Sequence, residues 1–368
     1  MSTVARHGCL PALTILFVLA GAGWLASTAP AASREEFDLR GPNAAGHASA
    51  KKPGPVRWAP SHPTVPDVAV PFTASEASGT PAPWLITYAD TAVSYRFQGP
   101  SAEPGIGVRR PDGTPEGRLE PRNVPKNVIN FFHANTWTYG ANVLSLDILS
   151  SGSQDPAGDK RGNFEGVGAT EVYLIYRGVL DANSLFNTDA FALPGLVRSI
   201  GLSFGADANA KNTKFDPEKR AGTFGLNFAF DVPAGFVNLK VQGYKEFSRN
   251  GFALGRFRSV EYLMTPEFEL TYSLPLTFTG LPLSVSGLNT LVLPKGRYGL
   301  TNENETQVEF VSQTNLVLDF GQITGNAPNQ ISAFVGLQFW HNKFGADPRR
   351  TVNTQEKALL AGMTYHLR

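Results

Sequence analysis

The chain has 368 residues, of which 42% are hydrophobic and only 17% charged, with 37 Gly, 27 Pro and 25 Phe against 3 Met and 1 Cys. That balance disfavours a helical bundle, which draws on Ala, Leu, Lys and Glu, and a wholly disordered chain, which lacks aromatics. The 32 basic and 31 acidic residues leave a net charge of +1, so no overall field points toward nucleic acid or another polyanion.

Residues 1–31 read as a secretory signal peptide. Arg6 and His7 precede an apolar run from Leu10 to Ala26, and small residues end in Ala29-Pro30-Ala31, an A-x-A site that sets the expected cleavage before Ala32. The competing reading is a membrane anchor; Gly21, Gly23, Pro30 and the lack of a basic stop-transfer flank favour the signal. Cys9 precedes the apolar run, whereas a lipoprotein cysteine would follow it, so the mature chain is expected to hold neither cysteine nor disulfide. Residues 32–83 are rich in Ala, Pro, Ser and His, as in Lys51-Lys52-Pro53-Gly54-Pro55, and show no hydrophobic period. Such a stretch buries too little apolar area to offset its ordering entropy, so a mobile extension is expected.

From Trp84 onward, segments of alternating apolar and polar residues are separated by Gly, Pro, Asn and Asp clusters. Ile331, Ala333, Val335, Leu337 and Phe339 share one face, and Ser332, Gly336, Gln338, Trp340 and Asn342 the other. The split recurs in Phe224, Leu226, Phe228 and Phe230 against Thr223, Asn227 and Asp231. It recurs again in Val237, Leu239 and Val241 against Asn238, Lys240 and Gln242, and in Val308, Phe310, Leu316 and Leu318 against Gln307, Glu309, Gln313, Asn315 and Asp319. Strands of a soluble sandwich average about five to six residues. These are about twice as long, near the ~9 to 11 tilted residues that cross a bilayer.

The alternation places strands at 85–97, 127–137, 141–150, 170–180, 195–206, 220–232, 235–247, 260–273, 282–293, 305–320, 329–343 and 355–367. An even number of about 12 fits a single-chain antiparallel transmembrane β-barrel, residues 84–368, in the bacterial outer membrane. With a periplasmic N-terminus the odd-numbered connections become the longer outer loops. The Tyr139-Gly140 turn decides the parity, since eleven strands remain without it. Asp181 to Pro194 is long for a periplasmic turn and has room for a short helix.

Four blocks in order resemble the nucleoside-specific outer-membrane channels of the Tsx-like (OmpK) type, together covering about residues 85–368. Asn130-Phe131-Phe132-His133-Ala134-Asn135-Thr136-Trp137-Thr138-Tyr139-Gly140-Ala141-Asn142, closing on Leu146-Asp147-Ile148, is similar to that family's second hairpin, with Phe132 where Glu is common and Ala141 where Asp is common. Asp231-Val232-Pro233-Ala234-Gly235-Phe236 resembles its D-x-P-G-F turn. Asn315-Leu316-Val317-Leu318-Asp319-Phe320-Gly321 and Val335 to Gly345 resemble its L-x-L-D-x-G and W-x-N-K-F-G blocks. The chain closes on Tyr365-His366-Leu367-Arg368, where many outer-membrane barrels end in Phe. The resemblance implies passive diffusion of nucleosides and deoxynucleosides, with no catalysis and no cofactor. The expected partners are a nucleoside-like solute, outer-membrane lipid and lipopolysaccharide, and the barrel-assembly machinery.

The period-two argument places His133, Trp137 and Tyr139 on one face of the second strand and Gln338, Trp340 and Asn342 on one face of the eleventh, as candidate lumen residues with Gln313. Asp147, Glu171, Arg177 and Asp319 are expected to face inward, because a lipid-facing charge costs about 2–4 kcal/mol for Arg or Lys at the midplane and less for Asp or Glu. The aromatic residues fit either a base-stacking slot or the interfacial girdle, and the charged ones either solute contacts or lumen ion pairs. Two other classes compete. A lipid-hydrolysing barrel needs a Ser close to its His, but the nearest serine to His133 along this segment is Ser145. A structural or adhesive barrel with a plugged lumen needs no binding groups, and Phe236, Tyr244 and Phe334 would narrow such a lumen. The histidines show no metal-ligand spacing, and Gly105-Ile106-Gly107 lacks the strand-to-helix setting of a phosphate loop.

Overall fold

A computed structural model describes residues 86–108, 120–152, 155, 168–212, 217–249, 259–296, 305–325, 327–349 and 351–367. The signal peptide and the extension expected over 1–31 and 32–83 lie outside the described residues. The strands are β1 (Ile86–Val108), β2 (Glu120–Trp137), β3 (Gly140–Ser151), β4 (Thr170–Asp181), β5 (Val197–Lys211), β6 (Glu218–Phe230) and β7 (Phe236–Arg249). They continue as β8 (Ser259–Glu261), β9 (Thr265–Pro275), β10 (Leu283–Val292), β11 (Glu309–Asp319), β12 (Ile331–His341) and β13 (Glu356–Leu367).

Every strand pairs antiparallel with its neighbours, and β1 pairs with β13, so the sheet closes on itself. Both β8 and β9 pair with β7, which makes them two pieces of one wall position and the barrel twelve-stranded. The break falls at 262–264, just before Pro266, whose missing N–H suits a strand start. The Tyr139-Gly140 turn is present: Trp137 pairs with Gly140 across a two-residue connection, so the parity holds.

The first hairpin runs further than the sequence suggests. Gly99-Pro100 punctuates the text like a turn, but a register shift after Gln98 absorbs it and pairing resumes at Ser101 with Val124. At the turn end, Asp181 caps a five-residue helix, Ala182–Phe186, by accepting from the Ser184 N–H at 2.7 Å. Asp319 caps a second, Phe320–Thr324. Gly235, at φ 74, closes the β6–β7 turn in a conformation that suits glycine.

Followed once round the barrel, the pairing register is displaced by about 16 residues, which for twelve strands implies a tilt near ~45°. Alternate side chains face out or in. The outer face carries Phe97, Phe131, Leu144, Leu174, Phe224, Leu226, Val335, Leu337, Leu359 and Met363, all exposed. The inner face carries most of the buried polar and charged residues. A water-soluble fold has the reverse arrangement, and only a lipid solvent rewards this one. No helix among the described residues is long and apolar enough to cross a membrane.

Candidate functional site: the barrel lumen

The inward face is set strand by strand by alternation, and one residue per strand suffices to fix it. On β2, Asn130 donates to Ser145 Oγ (2.8 Å) and Asp147 Oδ1 (2.7 Å) of β3, and Phe132 is buried, while Ile129 and Phe131 stand exposed on the other side. His133 and Trp137 therefore face outward with Phe131, and Tyr139 sits in the turn, against the expectation that all three line the lumen. The reason is local. Near the turn end of β1 to β4 the outer face is itself polar. His133 Nδ1 lies 2.9 Å from Thr91 Oγ1, Asn135 Nδ2 meets His133 Nε2 at 3.3 Å, Asn142 donates to Asn135 at 3.1 Å, and Tyr176 donates to Asn142 at 2.7 Å. Polarity marks the inside only within the apolar belt. Trp137 and Tyr139 pack edge to face at 5.6 Å, the position of an interfacial aromatic girdle.

The other candidates do face inward, and most are engaged by protein groups. Asp147 binds Arg96 at 3.1 Å, and Glu171 holds Lys126 at 3.0 Å and Asn209 at 2.8 Å. Arg177 is shared by Asp207 (2.6 Å) on β5 and Glu269 (3.1 Å) on β9. Asp319 is occupied at the turn end, accepting from the N–H groups of Gln322 and Asn329. Trp340 donates to Glu309 at 3.0 Å with the Lys343 ammonium 4.7 Å above its ring. Asn342 ties β12 to the Val308 carbonyl at 2.9 Å. Gln338 donates to Glu356, and Gln313, its partner in register on β11, keeps an amide oxygen with no hydrogen-bond donor.

Two zones follow. Near the loop end, charges of alternating sign run round the wall. Lys126 lies between Glu103 and Glu171, and Lys211 between Glu103 and Asp155; Lys295 lies between Glu246 and Glu309, and Lys343 sits on Glu356. Burial disfavours the Lys295 ammonium, but the carboxylates of Glu246 and Glu309 outweigh it and hold the group above its ordinary value. The turn-end half of β5 to β13 carries mainly short neutral groups: Ser199, Asn227, Asn238, Thr271, Ser286, Ser332 and Thr364. Each of these has a buried side-chain polar atom without a hydrogen-bond partner.

The sequence reading missed the ionic partners Arg96, Lys126, Lys211, Lys219, Glu246, Glu269 and Glu356. The signal was there in Glu267-Phe268-Glu269-Leu270, where two carboxylates alternate with two large apolar residues and so must share the inner face. No group of three or more His, Cys, Asp or Glu able to hold a metal occurs among the described residues.

No family model matches the chain, and no curated protein does. Among solved structures, it is similar to the translocator domain of the autotransporter NalP from Neisseria meningitidis, at 13% identity and a TM-score of 0.34, covering 76% of this chain and 88% of that one. OpdK of Pseudomonas aeruginosa, solved with vanillate, aligns at 8% identity and a TM-score of 0.31, covering 76% and 98%. The beta domain of the Bordetella autotransporter BrkA aligns at 10% and 0.30, covering 76% and 100%. These likenesses concern the barrel alone, and the class follows from this chain's own walls. A closed antiparallel barrel of even strand number with an apolar exterior is an outer-membrane β-barrel, and the protein resides in the bacterial outer membrane.

Proposed function

We propose that the protein is a non-catalytic channel for small, hydroxyl-bearing solutes, nucleosides being the class that its resemblance to the Tsx-like channels implies. The supporting observation is the set of neutral polar side chains that face inward on Asn227, Asn238, Thr271, Ser286, Gln313, Ser332 and Thr364; their unpartnered atoms are shielded by neighbouring inner-wall groups, which a passing solute has to displace to reach them. Neutral donors and acceptors of this kind suit a sugar and the edge of a base better than a strongly charged ion, and weak, multiple contacts let a solute leave as well as enter. Phe132 and Ala141, the two departures from the family's second hairpin, both point inward. The lumen thus lacks two carboxylates that the resembled family often carries there, a difference that bears on which small solute passes. Outer-membrane lipid, lipopolysaccharide and the assembly machinery are the partners the belt implies.

Conductance of the refolded protein in planar bilayers, titrated with adenosine, a sugar and an amino acid, tests this reading. Saturable block by adenosine alone is expected. Gln313→Leu should weaken that block several-fold, as the loss of one hydrogen bond worth about 0.5–1.5 kcal/mol requires. His133→Ala and Trp137→Ala, on the outer face, should leave it unchanged. A second reading, a structural barrel with a closed lumen, is favoured by the ion pairs that cross the interior from β1 to β5 and from β4 to β9. Absence of conductance would select it.

A further inference from the structure

We propose that Arg177, held by Asp207 and Glu269, forms a bar across the lumen that fixes its limiting cross-section. The inference rests on the channel reading above. Arg177 springs from β4 and Glu269 from β9, and three strands, β5, β6 and β7, lie between them in the wall. Their contact at 3.1 Å is therefore a chord through the interior, unlike the pairing of adjacent strands. Both ends are fixed. The guanidinium also binds Asp207 at 2.6 Å and donates to the Tyr176 carbonyl at 3.0 Å, while the second oxygen of Glu269 takes the Lys240 ammonium at 2.5 Å. A planar, multiply bonded guanidinium with all its neighbours buried has little freedom to swing aside.

The wall is shaped to let the bar pass. A Cβ at Gly205 would lie 2.8 Å from Arg177 Cδ and 2.8 Å from Thr223 Oγ1, so only glycine leaves the side chain its course. Behind the bar, the space against β5 to β9 is closed by a second chain of contacts. Ser203 donates to Gln242 at 3.0 Å and Gln242 to Glu267 at 2.9 Å.

The experiment compares the wild-type chain with Arg177→Lys, which keeps the charge but lacks the reach to Glu269, and with Arg177→Met. Folding of each is checked by heat-modifiable gel migration. Single-channel conductance and exclusion of polyethylene glycols of graded size are then read. A rise in conductance of about twofold or more, with larger polymers admitted and adenosine block retained, is the expected result, because current scales with the limiting cross-section. A silent wild type with a conducting variant would also support the bar, as the element that shuts the lumen. Unchanged conductance and exclusion in folded variants of a conducting wild type would overturn the bar and leave the channel reading intact. Silence in the wild type and in both folded variants would overturn both.

Discussion

Replacing Glu356 with alanine is expected to destabilise the barrel by about 3–5 kcal/mol, the usual result of removing one partner from a buried charge pair. Glu356 is fully buried at the first position of β13 and serves four groups at once. Its carboxylate binds the Lys343 ammonium at 2.7 Å, accepts from the Ala102 N–H at 2.9 Å, and accepts from the side chains of Gln98 (3.2 Å) and Gln338 (2.5 Å). Alanine would leave a buried ammonium with no carboxylate and orphan a backbone N–H and two amides. Glu356→Gln should lose less, because it keeps an acceptor in place. Urea titration of the refolded protein, followed by the loss of heat-modifiable migration, measures the difference; equal midpoints for Glu356→Ala and the wild type would show that the loop-end charges are not structural.

Val335→Arg is expected to cost about 2–4 kcal/mol, with Val335→Asp costing less, because the position faces lipid near the middle of β12. The two inner neighbours of Val335 on the same strand, Phe334 and Gly336, pack against lumen groups, while Val335 itself is 59% exposed. In a water-soluble barrel the same substitution at an exposed site would change stability by no more than ~0.5 kcal/mol. The reading is the folded fraction in lipid vesicles of defined thickness. Full folding of Val335→Arg would show that the outer face does not meet hydrocarbon and would undo the assignment of the membrane.

How much of this was legible in the residues depends on where along a strand one looks. In the middle of the wall, lipid on one side and polar groups on the other make the period-two signal unambiguous, and the strands containing Phe224, Val237, Phe310 and Val335 fall where the alternation places them. The Asp181 connection holds its short helix because an acidic cap and a polar run announce one. At the strand ends the solvent on the two faces becomes alike. That is why His133 and Trp137 could be assigned to the wrong face while Gln338, Trp340 and Asn342, anchored to a long alternating run, were assigned correctly. The extension of β1 past Gly99-Pro100 was invisible for another reason: a bulge uses the residues of a turn without turning the chain. Ionic partners were the least legible. Arg177 is recognisable as an inward charge from its own strand, but nothing local to it points to Glu269, 92 positions away.

The seam between β1 and β13 sets the order in which the molecule can be made. Asp90 and His366, 3.0 Å apart across that seam, are separated by 276 positions, and the pairing of Thr91 with Leu367 begins at the last paired residue of the chain. Hairpins such as β2–β3 pair residues close in sequence, but the cylinder cannot shut until its final strand is in place. Until then two unpaired edges are open at once, each able to capture a strand from another molecule. Closure is thus a late, long-range step with a large loop entropy to overcome. A chain that loses β13 would keep two unpaired edges, on β1 and β12, and so remain an open sheet.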